Sequence, residues 1–358
     1  MEQSAMVPAE RKFNMVRVDT DAIRRAMERL GFDNSSLGDK SNVERRTVAK
    51  LLRTGEVRND CFEAIVKALG GQRDDYLADP IRVVGHRRSH YGLPPTEEWE
   101  VDDSIPCSEW VKASNGLQYR ICRMRHLTIE NHFGRGKFYD LLGVKKVLRD
   151  ELKHQFERHA VVGATVGPSR NMSQLYSCVR VGNGEGWWVI DRWIEGSTLE
   201  HCLKNGPWPR SDLPRLMKEI LNGLAAVHSH DIVLREMTPG RVLIPDRKSP
   251  PVLTDFEMAK LFNGAPTVRN GEWPENPYRA PEVDSGVVAP SADLFSWAVI
   301  LLHAATGILP EEKRLKETLV SAKLPAQVTE VVQKSLLSSP RNRPQDCATV
   351  RRALGKWS

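Results

Sequence analysis

The stretch from residue 291 to residue 307 limits what this chain can fold into more than any other. It reads SADLFSWAVILLHAATG and is apolar on nearly every side of a helix. Such a helix must be buried all round, because any exposed face would place apolar side chains in water. Its apolar run, 297–305, is much shorter than the roughly 20 residues that cross a bilayer. The stretch therefore predicts the central helix of a large globular domain, and no membrane partner is expected.

Length, charge and cysteine spacing narrow the class of protein further. The chain has 358 residues and a formal net charge of +6. That length favours more than one domain, and the charge permits an acidic partner such as nucleic acid without requiring one. The N-terminal residues lack the apolar stretch of a secretory signal, so a cytoplasmic protein is expected. The six cysteines show no Cys-x-x-Cys pair and no zinc spacing, which predicts free thiols and no bound metal.

The first eighty residues predict a small helical module. Residues 18–31 carry apolar side chains at spacings of three and four and end at a glycine, which is typical of an amphipathic helix. A polar stretch, DNSSLGDKSN, is followed by the helical segments VERRTVAKLLRTGEV and CFEAIVKALGG. Residues 14–79 resemble the Cro/repressor-type helix-turn-helix family, and RRTVAKLLRTGEV corresponds to its recognition helix.

This resemblance implies that the recognition helix binds double-stranded DNA. Arginine can grip guanine edges and lysine can neutralise phosphate. The candidate DNA-binding residues are Arg45, Arg46, Thr47, Lys50 and Arg53. Two alternatives stay open, namely a solvated helix face and a helix-turn-helix fold reused as a protein contact. Because such modules often act in pairs, a homodimer is a further expectation.

The rest of the chain predicts a linker and two lobes, after a flexible N-terminus at 1–13. Residues 80–106 contain four prolines and a basic stretch, GHRRSHYG, and are expected to form a linker. Three segments rich in aromatic and β-branched residues predict strands: LQYRICRMRHL, SQLYSCVRVG and GWWVIDRWI. The helical pattern VLRDELKHQFERHAVV lies between the first two. We expect a small β-rich lobe over 107–195 and a large helical lobe over 196–358.

From about residue 107 to residue 356 the chain resembles the protein kinase family. The segments that carry the resemblance are HSHDIVLREMTPGRVLI at the catalytic loop, LTDFEMAKL at the metal-binding turn, NPYRAPEV at the end of the activation segment and SSPRNRP in a late loop. The implied fold class is α+β, a bilobal kinase-like fold preceded by an all-α helix-turn-helix domain. The resemblance assigns structural roles to Phe256, Glu282, Asp293 and Arg343, and it pairs Arg343 with Glu282.

Several positions that the family uses for phosphoryl transfer differ in this chain. The degenerate loop and the residual aspartate comprise Leu234, Arg235, Glu236, Thr238, Arg241 and Asp255. Glu236 replaces the catalytic aspartate and shifts the carboxylate by a methylene, while Thr238 replaces a lysine. Arg241 replaces a metal-binding asparagine, and a guanidinium has no lone pair for Mg²⁺. Glu257 replaces the glycine of the Asp-Phe-Gly triplet.

The phosphate-binding elements of the small lobe also look altered. The glycine-rich loop is expected at 107–118, which contains one glycine. The phosphate-binding lysine is expected in YRICRMR, which has no lysine, so Cys122 or Arg123 would take its place. Its partner glutamate would be Glu157 or Glu151.

We therefore predict a catalytically inactive, kinase-like regulator or scaffold of prokaryotic type, which couples DNA binding to a protein partner of the kinase-like domain. No catalytic residue and no cofactor are expected. Three alternatives remain. The first is an active, atypical Ser/Thr kinase that uses Glu236 as base, with ATP and one Mg²⁺ at Asp255. The second is a nucleotide sensor without turnover, and the third is a protein adaptor that does not bind DNA.

Overall fold

Three packed parts make up the computed structural model: an N-terminal helical unit, a β-rich lobe and a helical lobe. The structure describes residues 15–78, 89–112, 117–144, 146–181, 186–235, 237–256, 259–261, 276–285, 289–355 and 357. The predicted flexible N-terminus and the first part of the predicted linker lie outside these ranges. Within them, no helix is both long enough and apolar enough to cross a membrane.

The helical unit (residues 15–78) joins its helices to a short antiparallel ribbon. Its helices are α1 (Thr20–Leu30), α2 (Asn34–Ser41), α3 (Arg45–Thr54) and α4 (Asn59–Leu69), and its strands are β1 (Met15–Arg17) and β2 (Glu56–Arg58). Helix α1 begins at Asp19, whose carboxylate accepts from the backbone N–H groups of Asp21 and Ala22. It ends at Gly31, which has a φ of 68°. The apolar faces of the helices pack into one core.

An antiparallel sheet and one long helix form the β-rich lobe. The strands are β3 (Trp99–Val101), β4 (Val111–Lys112), β5 (Gln118–His126), β6 (Phe133–Asp140), β7 (Leu175–Val181) and β8 (Gly186–Arg192), and the helix is α5 (Lys146–Val166). The strand order is β3-β5-β6-β8-β7, and β4 also pairs with β5. Strand β6 therefore lies in the middle of the sheet and leads directly into α5.

The sequence pattern does not predict β6, although it is the central strand. It reads FGRGKFYD, and its glycines and charged residues interrupt the alternation of apolar and polar side chains that marks a strand. The glycines have a packing role. A Cβ at Gly136 would lie 2.5 Å from Met124 and 2.8 Å from Trp188, so large side chains of the core cross β6 at this point.

Part of the segment predicted to be a linker contributes to the β-rich lobe. Strand β3 lies within 80–106 and pairs with β5. Leu93 and Trp99 are buried, and the indole N–H of Trp188 donates to the carbonyl of Pro94 at 2.8 Å. The prolines of this segment break regular structure, but its large apolar side chains still enter the core.

The prediction that all cysteines are free is wrong. Cys107 and Cys122 form a disulfide. The segment leading into β4 runs beside β5 and brings the two Cα atoms to 4.4 Å, a proximity that spacing along the chain does not reveal. Cys61, Cys178, Cys202 and Cys347 form no disulfide.

The helical lobe is built around the helix predicted from 291–307. Its helices are α6 (Leu199–Leu203), α7 (Leu213–His228), α8 (Pro290–Thr306), α9 (Leu315–Ser321), α10 (Ala326–Ser335) and α11 (Cys347–Leu354). Its short strands are β9 (Ser197–Thr198), β10 (Ile232–Val233), β11 (Val242–Ile244), β12 (Val252–Leu253) and β13 (Lys260–Leu261). In α8 every residue from 291 to 305 is buried, which confirms the prediction of a central helix.

Candidate active site

The two lobes meet at the carboxylate of Asp255, two residues after the end of β12. Arg135 on β6 donates from Nη1 and Nη2 to the two carboxylate oxygens, at 3.0 Å and 3.4 Å. The Nζ of Lys137 lies 3.4 Å from Oδ1 of the same group. Residues two apart on a strand face the same side of the sheet, so β6 presents both cations together. All three residues are buried.

The charge of Asp255 is maintained by these neighbours. Burial alone would raise the pKa of its carboxyl, because desolvation disfavours the charged form. The Arg135 guanidinium, followed by the Lys137 ammonium, outweighs burial and holds the pKa below its usual value. The charge of Arg241 acts in the same direction. The neighbouring cations therefore favour the ionised carboxylate, an oxygen ligand that suits a divalent cation such as Mg²⁺.

Asp255 itself and Arg235, in the altered loop, have strained backbones. Asp255 has a φ of 64° and Arg235 a φ of 68°, in the left-handed region that non-glycine residues rarely adopt. Such residues cost about 1–3 kcal/mol each and persist where the surrounding structure holds them. Asp293 on α8 supplies that support for Arg235, because its carboxylate accepts from the N–H groups of Leu234 and Arg235, both at 2.8 Å.

Helix α5 reaches the same turn through His159. The Nδ1 of His159 accepts from the N–H of Phe256 at 3.1 Å, and the two rings stack with centroids 5.4 Å apart. Since Nδ1 accepts a hydrogen bond, Nε2 carries the proton of the neutral ring and faces Asp191 Oδ1 at 3.2 Å. Sequence reasoning missed His159, because a lone histidine inside a helix gives no signal of its own.

The predicted location of the phosphate-binding lysine is wrong. The strand that faces Asp255 is β6, and the lysine on it is Lys137. On β5, Cys122 is held in the disulfide and Arg123 donates to Asp102 at 2.7 Å. The error arose because β6 lacks a strand pattern, so β5 was taken as the strand that carries the lysine.

The two glutamates proposed as partners of that lysine lie on α5. Glu157 is half-buried, while the side chain of Glu151 lies outside the described residues. Glu236 and Glu257, at two of the altered positions, also lie outside the described residues.

The rest of the altered loop lies close to the Asp255 turn. Thr238 and Arg241 are half-buried on either side of the turn that leads into β11. The carbonyl of Arg241 accepts from the N–H of Thr254 at 3.0 Å. Leu234 is buried in the core of the helical lobe. The structure thus brings Arg241 towards Asp255, whereas Leu234 serves packing.

Glu282 and Arg343 form an ion pair within the helical lobe, and both lie well after Asp255 in the sequence. Arg343 donates from Nη1 to Oε1 at 2.6 Å and from Nη2 to Oε2 at 2.9 Å. It also donates to the carbonyls of Leu337 and Ser338. The pair joins the end of the activation segment to the loop before α11.

The residues singled out for DNA binding lie on α3 of the helical unit. Arg45, Arg46, Lys50 and Arg53 are exposed, and Thr47 is half-buried. On the opposite side of α3, Val48, Leu51 and Leu52 are buried in the core of the unit.

The fold and this site define a class of protein: a two-lobed protein with the architecture of a kinase domain. An antiparallel sheet with one helix faces a helical lobe, and a buried lysine and aspartate meet between them. The family model for the protein kinase domain matches residues 140–352, more than half of the chain. The chain therefore belongs to the protein kinase family.

Several protein kinases resemble the chain at low identity. Serine/threonine-protein kinase D of Synechocystis is 24% identical over 213 residues, which cover 56% of this chain and 41% of that protein. Serine/threonine-protein kinase PrkC of Bacillus subtilis is 25% identical over 174 residues, covering 44% and 27%. Mitogen-activated protein kinase kinase 1 of Arabidopsis thaliana is 30% identical over 125 residues, covering 34% and 35%. The chain thus spans less than half the length of each relative.

The prediction of a catalytically inactive scaffold is wrong. The family match and the similarity to serine/threonine kinases support an active kinase better than an inactive one. One physical reason is the location of the lysine. The inference of inactivity counted it as lost, but Lys137 lies on the strand that faces Asp255.

Proposed function

We propose that this protein is an active, atypical serine/threonine protein kinase that uses Mg²⁺-ATP. The observation that carries the proposal is the meeting of Lys137 and Asp255 between the lobes, at 3.4 Å. A cation for phosphate oxygens and a carboxylate for the metal are the two groups that phosphoryl transfer requires in one place. The serine/threonine specificity rests on the names of the bacterial relatives.

The residues present fit this substrate. Asp255 is ionised and offers carboxylate oxygens to Mg²⁺, which binds through one or two carboxylates together with substrate phosphates. Lys137 would hold phosphate oxygens, and Arg241 would add positive charge near them. The metal neutralises the charge that develops on the transferred group. Glu236 is the base by its place in the sequence, and it would take the proton of the attacking hydroxyl.

The structure also supports a slow enzyme. Both contacts of Arg135 end on the carboxylate oxygens that would bind the metal. A Mg²⁺ ion held by these oxygens would compete with Arg135 for Asp255, and this competition would lower the affinity for Mg²⁺-ATP. A glutamate base with an additional methylene places its carboxylate differently from an aspartate, which lowers the rate further.

A radiolabel transfer assay tests the proposal directly. The full chain is incubated with γ-labelled ATP, Mg²⁺ and a serine- and threonine-rich protein such as casein. We expect incorporation that disappears in Lys137→Met and in Asp255→Asn, and phosphoserine or phosphothreonine after hydrolysis of the product. If wild type incorporates no more label than Lys137→Met, the proposed activity is absent.

We further propose that α2 and α3 act as a helix-turn-helix and bind duplex DNA. What supports this is the exposed basic face of α3, which carries Arg45, Arg46 and Lys50 opposite its buried face. Phosphate contacts by such side chains release counterions, so the affinity should fall steeply with salt.

The DNA proposal has its own test, independent of kinase activity. Binding of the full chain to a pool of random duplexes is measured at several salt concentrations. We expect Arg46→Ala with Lys50→Ala to reduce the salt slope by about two, one for each lost phosphate contact. Arg58→Ala, a change on the exposed end of β2, is the matched control. A slope unchanged in the double variant would argue for a protein contact.

A further inference from the structure

The helical unit is packed directly on the connection between β6 and α5. Leu142, which follows β6, is buried with no exposed surface and belongs to the core of the helical unit. Gly71 and Gly143 are in close contact, since a Cβ at Gly71 would lie 2.8 Å from the backbone nitrogen of Gly143. The connection is therefore held by apolar and backbone contacts of the preceding unit.

Two ion pairs, one on either side of the connection, stabilise the contact between the helical unit and the β-rich lobe. Arg29 on α1 donates to Asp140, the last residue of β6, at 3.0 Å, and also to the carbonyl of Leu142. Arg149 in the first turn of α5 donates to both oxygens of Asp75, at 2.9 Å and 2.5 Å. Asp75, Asp140 and both arginines are largely buried, so these pairs are little screened by solvent.

The elements held in this way are the two that reach the active site from the β-rich lobe. Lys137 lies three positions before Asp140 on the same strand, and it contacts Asp255. His159 lies on the helix that begins beside the connection, and it accepts a hydrogen bond from Phe256. Strands and helices move as nearly rigid elements, so a shift at the connection moves both side chains.

We propose that Arg149 and Arg29 are positioning residues for phosphoryl transfer, through which the helical unit sets the place of Lys137 relative to Asp255. This inference rests on the proposed kinase activity. Among the described residues, the contacts of both arginines lie at the β6–α5 connection, and both act through it. A misplacement of about 1 Å at a catalytic group can cost on the order of a hundredfold in rate, so the effect of loosening the connection should be measurable.

The test compares three single variants of the full chain. Arg149→Met removes the pair with Asp75, and Arg149→Lys keeps the charge but not the two-pronged geometry. Arg17→Met is the matched control, because Arg17 forms an exposed pair with Glu56 on the ribbon of the same unit. In the transfer assay, kcat should fall about tenfold in Arg149→Met and less in Arg149→Lys. KM for ATP should change by less than kcat, because correct placement of Lys137 matters most in the transition state.

Hydrogen exchange separates this inference from the proposed activity. In Arg149→Met we expect faster amide exchange in 134–140 and in 253–256, with α7 and the Arg17→Met control unchanged. If exchange rises only within 15–78, or if kcat equals that of wild type, the positioning role is refuted. If wild type itself transfers no phosphate, the proposed activity fails, and the exchange pattern alone decides whether the helical unit holds β6.

Discussion

Two of the buried arginine–carboxylate pairs in the kinase domain differ in the lengths of their contacts and in what else their charged groups bind. Arg343 meets Glu282 at 2.6 Å and 2.9 Å and spends other donors on backbone carbonyls. Arg135 meets Asp255 at 3.0 Å and 3.4 Å, and the carboxylate is shared with Lys137. The contacts of the first pair are shorter, and the carboxylate of the second pair lies close to a second cation, Lys137.

The difference follows from what each carboxylate must do. The pair of Glu282 with Arg343 joins two segments of the helical lobe, and this role does not require Arg343 to be displaced. Asp255 must exchange a protein cation for a metal if the chain transfers phosphate, and a shared, longer contact is easier to exchange. The same type of ion pair is therefore a permanent structural contact at Arg343–Glu282 (the permanent link) and one that a metal could replace at Arg135–Asp255 (the replaceable link).

The largest expected effect is a loss of folding stability when the permanent link between Arg343 and Glu282 is broken. Arg343→Leu removes the Arg343 guanidinium from the Glu282 carboxylate, and removal of one partner from a buried pair costs about 3–5 kcal/mol. Urea unfolding followed by circular dichroism measures the loss. Arg341→Leu, two residues away and exposed, should change stability by less than about 0.5 kcal/mol. A loss below about 1 kcal/mol in Arg343→Leu would remove the distinction between the two pairs.

The next effect concerns Lys137 and is expected in rate, with little change in stability. Loss of a preorganised charge from a reacting centre typically costs about a hundredfold or more in kcat. We expect Lys137→Met to lose at least that much label transfer. Lys112→Met, an equivalent change at an exposed lysine on β4, should retain full activity. Equal activity of Lys137→Met and wild type would mean that another cation serves the phosphates.

A smaller effect, on nucleotide affinity, is expected when the replaceable link between Arg135 and Asp255 is removed. Arg135→Ala removes the cation that competes with Mg²⁺ for Asp255, so the Kd for Mg²⁺-ATP should fall several-fold. Isothermal titration calorimetry with a non-hydrolysable ATP analogue measures it. Arg125→Ala, at an exposed arginine on β5, is the control and should leave the Kd unchanged. Weaker binding in Arg135→Ala would show that the guanidinium assists the nucleotide.

The smallest effect is a pH dependence of stability that arises from His303 on α8. His303 lies 2.6 Å from the hydroxyl of Tyr278, and burial lowers the pKa of its imidazole from the usual 6.5. The unfolded chain therefore takes up the proton first, so stability is complete above about pH 6.5 and falls as the pH drops towards the lowered pKa. Unfolding free energies at pH 7.5 and pH 5.5 should differ less in His303→Gln than in wild type. His201→Gln, at an exposed histidine, should retain the full difference.

Much of the fold could be predicted because its strongest elements have simple patterns. The uniformly apolar α8 and the aromatic strands β5, β7 and β8 follow from periodicity and composition. Strand β6 does not, since its glycines and charges serve packing and the site instead of a repeating face. Because β6 was not predicted, the position of the lysine was assigned to β5, and the inference of an inactive protein depended partly on that error.

Contacts between distant segments were the other limit of sequence reasoning. Arg135 and Asp255 are 120 positions apart, and nothing local in either segment points to the other. The disulfide between Cys107 and Cys122 likewise depends on how two segments run side by side. By contrast, the contact between Glu282 and Arg343 could be expected, because the resemblance to kinases assigns both partners.

The burial of Leu142 has a consequence for how this chain can be divided or recombined. A polypeptide that stops near residue 79 would lack the leucine that completes its own core, and an empty site of that size costs about 2–5 kcal/mol. The helical unit therefore cannot be separated from the β-rich lobe at the predicted linker without losing a residue of its own core, Leu142. A different N-terminal unit grafted onto this kinase domain would need a cavity that accepts Leu142, or the graft would leave that apolar side chain exposed to water.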